Sequence, residues 1–446
     1  MSETKDIRRQ ARVEFHGLAA GGEAVGRDEG GKTIFAPFAA PGDVALVGIE
    51  SEKKSFGRGL IASLEVASPQ RITPSCPQFR PATPSESCGG CSWQHVSLEA
   101  QRRAKREIVQ NALTRIGGQT IEVEECVGGD GFRYRNKGDF VIGRAQGQAE
   151  LGFFAAASHD LVPAPTCPIQ RLENEEILTA AREILQAHPA WGFDAASGRG
   201  FWRRLVARVG MNGETLATLV TSREATVECA EIASLLQKRV PHLTGVLERA
   251  PKGAARSVWG RDHLMESVNG LEFRVTADAF WQVNSQISPW LVQTALVMAQ
   301  VQRGQKALDL FCGAGLFALH LAREGAVVTG IETHQGAIKD ATFNTGHNGL
   351  SAKFRAGDAA RELGKFRPGD FDLILLDPPR AGAAECLPAL ARLAPERLVY
   401  VSCDPATLAR DAKFLTDNGY ELQRAIPFDL FPQTAHVETA ALFTRA

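Results

Sequence analysis

After about residue 275 the chain alternates short, wholly apolar runs with helical stretches, and this alternation constrains the fold more than any other feature of its 446 residues. Ala307-Leu-Asp-Leu310, Val327-Val-Thr-Gly-Ile331, Phe371-Asp-Leu-Ile-Leu-Leu376 and Leu398-Val-Tyr-Val401 read as strands, with a helix over Leu316 to Arg323 between the first two. Strands that are apolar on both faces are covered on both faces, so the pattern implies a doubly wound, mainly parallel sheet. Such a sheet takes its ligands beyond the carboxyl ends of its strands. The polar motifs of this stretch lie at those ends.

The first motif, Asp309-Leu-Phe-Cys-Gly-Ala-Gly-Leu-Phe-Ala318, holds Gly313-x-Gly315-x-x-Ala318 between strand and helix. Lacking side chains, Gly313 and Gly315 let a ligand approach the backbone. Glu332 closes the next strand 19 residues after Gly313, the separation of a carboxylate that accepts hydrogen bonds from ribose hydroxyls. The pair points to an adenosine ligand, either a nicotinamide dinucleotide or S-adenosylmethionine, against the plain alternative of a tight turn and a solvated glutamate. Asp377-Pro-Pro-Arg-Ala-Gly382 leaves its strand through two prolines, which remove backbone donors and aim Asp377 rigidly at the cleft. Hydride transfer has no use for that arrangement. Val401-Ser-Cys403-Asp-Pro405 sets a thiol at the mouth of the site; without the Asp-Pro turn such a cysteine would read as a small buried hydrophobe. Finally, His436-Val-Glu438 leads into the apolar strand Thr439 to Phe443. Two ligands alone make a poor metal site. A glutamate buried there would hold its proton tightly and suit a proton acceptor, whereas one at a solvated strand end would not.

The N-terminal half reads differently. Residues 7 to 67 alternate short apolar runs with glycine turns, a pattern that suggests a small OB-like β-barrel, and Arg204 to Val209 with Thr215 to Val220 reads as a hairpin in a mixed, strand-rich middle. Pro69, Pro74, Pro77, Pro81 and Pro84 mark an irregular connector carrying Cys76, Cys88 and Cys91. With Cys167 these make four thiols able to hold tetrahedral zinc or a 4Fe-4S cluster, while Cys126, Cys229, Cys312 and Cys386 read as core or loop residues. The charged start, Met1 to Gln10, lacks the apolar core of a signal peptide, and no apolar stretch reaches membrane-spanning length; a cytoplasmic protein without a membrane partner is expected. Nine cysteines in a reducing compartment favour metal, catalysis or burial over disulfides. A net charge of −1 gives no global argument for nucleic acid. Between Lys53 and Arg115, however, ten basic residues face four acidic ones, and Arg102, Arg103, Lys105 and Arg106 lie in a helix expected over Leu98 to Leu113. That stripe is either a phosphate-contact surface or a solvated helix face.

Taken together, Phe280-Trp-Gln282-Val-Asn284, the Asp309 loop, Asp377-Pro-Pro-Arg380, Val401-Ser-Cys403-Asp-Pro-Ala-Thr-Leu-Ala-Arg-Asp411 and Phe431-Pro-Gln-Thr-x-His436-Val-Glu438 resemble the S-adenosylmethionine-dependent RNA uracil-5-methyltransferases. Phe132-Arg-Tyr-Arg-Asn-Lys137 is similar to the central-domain signature of that family, and residues 7 to 67 to its TRAM barrel. The resemblance implies a multidomain enzyme: a TRAM/OB-like RNA-binding barrel over 1–67, a mixed α+β central RNA-binding domain with the cysteine cluster over 68–275, whose helix near 98–115 is expected to pack on the catalytic domain, and an α/β, Rossmann-like class I methyltransferase domain over 276–446. It implies that Cys403 adds to carbon 6 of a uracil, so that carbon 5 becomes nucleophilic, and that Glu438 removes the carbon 5 proton afterwards. Gln282, Phe311, Gly313, Gly315, Glu332 and Asp377 would line S-adenosylmethionine, and Asp358, after a strand over Lys353 to Ala356, would meet the adenine; the transfer needs no metal. Ribosomal RNA members of the family carry a 4Fe-4S cluster in the order C…CxxC…C, which favours iron on Cys76, Cys88, Cys91 and Cys167, although the first gap here, eleven residues, is longer than the usual one.

The resulting expectation is a monomeric enzyme acting on 23S rRNA, with tRNA as the alternative substrate. A catalytically idle RNA-binding scaffold and a nucleotide-dependent dehydrogenase are the readings from other classes. Intact Cys403 and Glu438 argue against the first, and the Asp-Pro-Pro-Arg and Ser-Cys-Asp-Pro turns against the second.

Overall fold

The computed structural model of the chain describes residues 9–145 and 147–446. Five strands, β1 (Arg9–Leu18), β2 (Ala24–Asp28), β3 (Thr33–Ala36), β4 (Val44–Glu52) and β5 (Phe56–Val66), close into a barrel in the order β1-β2-β3-β5-β4. Alternation at period two turns Ala11, Val13 and Phe15 inward, where they meet Ile34, Val47 and Ile49. A side chain at position 59 would place its Cβ 2.2 Å from the Gly48 carbonyl oxygen, so Gly59 is what lets β5 wrap so closely on β4.

Helix α1 (Leu98–Arg115) begins at Ser97, whose hydroxyl accepts the Ala100 amide at 3.4 Å. It has two buried stripes. Ala100, Ala104 and Ile108 complete the barrel core, whereas Val109 and Leu113 belong to the core of the C-terminal sheet. The helix therefore joins the two ends of the chain, and its polar residues between the stripes are also out of water.

The middle of the chain forms β6 (Lys137–Ala145), β7 (Gln148–Phe154), β8 (Leu161–Pro163), α2 (Leu172–Ala187), β9 (Trp202–Val209), β10 (Thr215–Thr221), α3 (Thr226–Gln237), β11 (Leu243–Arg249) and β12 (Arg256–Gly260). Its seven-stranded sheet runs β12-β11-β10-β9-β6-β7-β8, with β9 and β10 paired as the hairpin the sequence suggests. One face packs on α2 and α3 through Phe140, Leu205 and Leu219 against Ile177 and Ile232. A hairpin of β13 (His263–Val268) and β14 (Leu271–Thr276) follows and gives Phe273 and Val275 to the core of the C-terminal sheet.

That sheet is built from α4 (Ser288–Ala299), β15 (Lys306–Leu310), α5 (Leu316–Arg323), β16 (Val327–Glu332), α6 (Gln335–His347), β17 (Ala352–Ala356), α7 (Ala359–Leu363), β18 (Leu373–Leu376), α8 (Leu387–Leu393), β19 (Arg397–Ser402), α9 (Pro405–Asp417), β20 (Tyr420–Phe428) and β21 (Glu438–Arg445). The strand order is β17-β16-β15-β18-β19-β21-β20. The first five are parallel, and β21 inserts antiparallel between β19 and β20. All four residues of β18 are buried, as a strand with a core on each side requires; each such leucine contributes about 1.5–3 kcal/mol by leaving water. No described helix is long and apolar enough to cross a membrane.

Candidate active site

The parallel strands β15, β16, β18 and β19 end at one edge of the sheet, delivering Phe311 to Gly315, Glu332, Asp377 and Cys403 to a common cleft. The antiparallel β21 starts where its parallel neighbours finish. Ser402 pairs with Thr439, so the next positions outward, Cys403 and Glu438, stand across from each other at that edge. Two residues 35 apart in sequence thus share one site through register alone.

Charge in this cleft is only partly neutralised. Burial pushes the Asp377 carboxyl up to about 7. Burial first and Asp377 second hold Glu438 well above the ordinary carboxylate range, while Arg380 opposes them. The Cys403 thiol is pushed up to about 11 by burial and by the charges of Glu438 and Asp377, again against Arg380. Asp309 is fully buried at the end of β15 and neither of its oxygens makes a well-formed hydrogen bond, so burial raises its carboxyl well above the usual range. Four acids and thiols with one arginine form a site short of positive charge, which a cationic ligand would supply. Arg380 also lies 3.3 Å from both ring nitrogens of the exposed His436. Two residues inside the sequence motifs, Arg380 and Asp309, thereby gain a part that spacing alone does not assign them; the turn after the double proline is the signal that points to Arg380.

The adenosine-type features sit beside this cluster. Phe311, Gly313 and Gly315 all have positive φ (63°, 52° and 89°), and a Cβ on Gly313 would project into open space, as expected of a loop left open toward a ligand. Glu332 accepts the Gly313 amide at 3.2 Å through one oxygen and the His334 amide at 2.8 Å through the other. Asp358 is exposed and caps α7 by accepting the Arg361 amide at 3.0 Å, next to the point where the Gly357 amide meets the Glu332 carbonyl. Gln282 is buried and its side-chain amide reaches Asp377 at 3.5 Å. The backbone cradle and the orphaned Asp309 carboxyl fit an adenosine-linked sulfonium donor.

Known proteins decide the family. The model of the tRNA (uracil-5-)-methyltransferase family matches residues 210–446. An uncharacterised RNA methyltransferase of Halalkalibacterium halodurans is 33% identical over 445 residues, covering 96% of each chain, and one of Gloeobacter violaceus is 34% identical over 448 residues, covering 97% of this chain and 96% of its own. The chain belongs to the tRNA (uracil-5-)-methyltransferase family. Its similarity extends to a solved structure, the tRNA (uracil-54, C5)-methyltransferase of Pyrococcus abyssi in complex with S-adenosyl-L-homocysteine. The TM-score is 0.77 at 25% identity, over 97% of this chain and 99% of that one. The protein is an S-adenosylmethionine-dependent RNA methyltransferase, and the dehydrogenase alternative is set aside.

In this methyltransferase the cysteine quartet and the basic stripe differ from a simple sequence reading. Cys76, Cys88, Cys91 and Cys167 are drawn together: the charge of each of the other three acts on Cys91, and Cys167 feels Cys88 and Cys76. Cys167 packs with Tyr134 and Ile169, Cys91 lies against the same cluster, and burial pushes the Cys167 thiol up to about 12. Yet among the described residues no group of three or more Cys, His, Asp or Glu side chains is arranged to hold a metal ion. The donor set is right in kind for a thiophilic centre, but its arrangement does not close on one. The stripe on α1 is neither a free phosphate surface nor a solvated face. Lys105 is fully buried and paired with Asp429, Arg102 donates to the Gly129 carbonyl, and Arg106 donates to the Val123 carbonyl at 2.7 Å and to Glu122 at 2.9 Å. Arg103 alone of the four is exposed.

Proposed function

We propose that the protein methylates carbon 5 of a uridine in RNA through a covalent adduct on Cys403. The observation that carries this reading is the β19–β21 register that sets Cys403 opposite Glu438, with Asp377 and Arg380 within range of both. Bound among Gln282, Phe311, Gly313, Gly315, Glu332, Asp358 and Asp377, S-adenosylmethionine would supply the methyl group as an electrophile. Carbon 5 of uracil is too weak a nucleophile to take it unaided. Cys403 gives up its proton to Asp377, leaving Glu438 free for the later step, and its sulfur bonds to carbon 6, sending the ring electrons to the carbon 4 oxygen; carbon 5 of the enolate then bonds to the methyl group as the methyl–sulfonium bond breaks and S-adenosylhomocysteine departs. The adduct carries both methyl and hydrogen at carbon 5. Glu438 takes that proton, the enolate re-forms, and the carbon 6–sulfur bond breaks to release Cys403. Arg380, drawing the Cys403 thiol down against two acids, favours the thiolate at the start and the end of the cycle.

We further propose 23S rRNA as the substrate, on the strength of the cysteine pattern, with the barrel and the central domain holding the RNA. The tRNA reading has its own support in the similarity to the Pyrococcus abyssi enzyme, a tRNA (uracil-54, C5)-methyltransferase. Incubating full-length protein and methyl-labelled S-adenosylmethionine with unmodified 23S rRNA fragments and unmodified tRNA, followed by nucleoside mapping, separates the two. Label in 5-methyluridine of rRNA supports the first reading and label in tRNA the second; label at any other position defeats both. In the same reading the cysteine pattern, though its four thiols are not arranged around a metal here, assigns Cys76, Cys88, Cys91 and Cys167 to a 4Fe-4S cluster in a cytoplasmic monomer. Anaerobically purified protein should then be brown, with about four irons per chain that Cys88→Ser and Cys91→Ser remove; stoichiometric zinc in the native protein would replace that assignment.

A further inference from the structure

The segment 429–437 links β20 to β21 and delivers Glu438, which pairs across from Phe428. Leu430 and Val437 anchor the segment in the cores of the C-terminal sheet, but those anchors do not fix the backbone between them. Instead four successive carbonyls are each taken by a donor from elsewhere: Leu430 by the Asn284 side chain at 3.2 Å, Phe431 by Lys105 Nζ at 3.0 Å, Pro432 by the Tyr134 hydroxyl at 3.0 Å, and Gln433 by the amides of Ser92 and Trp93 at 2.9 and 3.0 Å. Gln433 is buried and sits at φ 69°, a conformation a residue with a side chain keeps only when its surroundings impose it. Those surroundings are Gln101 on α1. Its side-chain oxygen accepts the Gln433 amide at 2.9 Å while its side-chain nitrogen donates to the Gln433 side-chain oxygen at 2.9 Å. Four residues along the same helix face, Lys105 places its ammonium between the Phe431 carbonyl and the Asp429 carboxylate, both partners of the ion pair being fully out of water.

A buried ion pair contributes little net stability, because the desolvation of both charges offsets their attraction; its best-attested value is in fixing one arrangement against others. Here the arrangement fixed is the path of the loop that ends at Glu438. We propose that Lys105 and Gln101 are positioning residues of the methyl transfer reaction, acting through the 429–437 loop to set the carboxylate of Glu438 for removal of the carbon 5 proton. They touch neither the donor motifs nor Cys403. Their loss should therefore leave S-adenosylmethionine binding and methyl transfer to carbon 5 in place and slow the step that follows. A displacement of about an ångström suffices to slow a proton transfer by one to two orders of magnitude.

The inference rests on Glu438 acting as the base, and the experiment separates the two. Full-length Lys105→Met/Asp429→Leu replaces the pair by apolar side chains of similar size, and Gln433→Gly removes the paired side chain at a φ that glycine adopts freely. RNA carrying uridine tritiated at carbon 5 reports proton removal, and a labelled methyl donor reports transfer, both in single turnovers. In either variant donor affinity should stay within twofold and the methyl burst near the normal rate. Tritium release should fall at least tenfold, and a denaturant-stable protein–RNA adduct should accumulate. Glu438→Gln, run in parallel, should accumulate the same adduct; if it does not, the base assignment falls. If Glu438→Gln traps the adduct while both loop variants release tritium at the normal rate, or lose burst and release together, the positioning role is overturned. Should the double variant fail to fold, Gln433→Gly carries the test alone.

Discussion

The two ends of the segment from Asp429 to Glu438 bury charge in opposite ways. At Asp429 the carboxylate meets Lys105, with Arg102 Nε 3.8 Å from its other oxygen. At Glu438 the carboxyl shares its pocket with Asp377 and the Cys403 thiol, and the opposing Arg380 is exposed to water. Within one short segment, the chain neutralises one buried acid and leaves the other frustrated. The difference teaches where to look for chemistry: a paired buried charge has nothing left to do, whereas an acid held above its ordinary range stands ready to exchange a proton.

The comparison breaks most visibly if truncation at the two ends has like effects. Cys403→Ala should abolish methyl transfer, by more than about 10⁴-fold, because no other described side chain stands opposite Glu438 to add to carbon 6. Cys403 is only half-buried, so the same change should move stability by less than about 1 kcal/mol. Lys105→Ala inverts the pattern, stranding a buried Asp429 at a cost of about 3–5 kcal/mol. Denaturant melts beside single-turnover assays measure both. A Cys403→Ala enzyme with ordinary turnover would end the covalent mechanism, and a fully stable Lys105→Ala would end the claim that the first acid is neutralised by its partner.

A smaller effect is expected on titration. Asp377 stands near 7 in the folded chain against 3.8 ordinarily, so the folded state binds its proton more tightly than the unfolded state does. The stability this confers is complete below about pH 4 and is lost as pH rises through about 7, and Asp309 and Glu438, also raised by burial, add losses of the same sign. Asp377→Asn should flatten that decline. The sulfonium donor works against it, since a cation favours the ionised carboxylate: S-adenosylmethionine should bind more tightly at about pH 8 than at about pH 6 and release a proton as it does so. S-adenosylhomocysteine, without the sulfonium charge, should show a weaker rise. Calorimetry in two buffers of different ionisation enthalpy reads the proton directly, and equal donor affinity at the two pH values would contradict the charge-deficient picture of the cleft.

How much of this is legible in the sequence follows from distance along the chain. The doubly wound sheet is written in local patterns: the apolar run at 373–376, the helix at Leu316–Arg323 and the glycine loop each report on their own neighbours. The cleft is nearly as legible, since each strand ends in its own motif and topology alone brings the ends together. Lys105 is not. Its partner Asp429 is 324 residues away, and a lysine between Arg103 and Arg106 carries the pattern of a solvated face. The packing of α1 on the catalytic domain is anticipated from the sequence; its share in the barrel core is not, because its apolar residues divide between the two and no single clean stripe results.

The smallest effect belongs to the basic residues beside Lys105. Arg102 and Arg106 form an i, i+4 pair that would suit a phosphate if free, and removing two phosphate contacts from a single strand would lower the salt slope of binding by about 1.4. Both guanidiniums are occupied, however: Arg102 by the Gly129 carbonyl and the neighbourhood of Asp429, Arg106 by the Val123 carbonyl, Glu122 and Glu125. Arg102→Ala/Arg106→Ala should therefore leave the salt dependence of RNA binding within about 0.3 of the original slope. Arg380 is different. It is exposed at the mouth of the cleft, beside His436, where a nucleotide entering toward Cys403 would carry its phosphate past. Arg380→Ala should lower the slope by about 0.7. If the α1 double variant loses more slope than Arg380→Ala, RNA runs along the helix after all, and the contrast between occupied and available charge fails on the surface even where it holds in the interior.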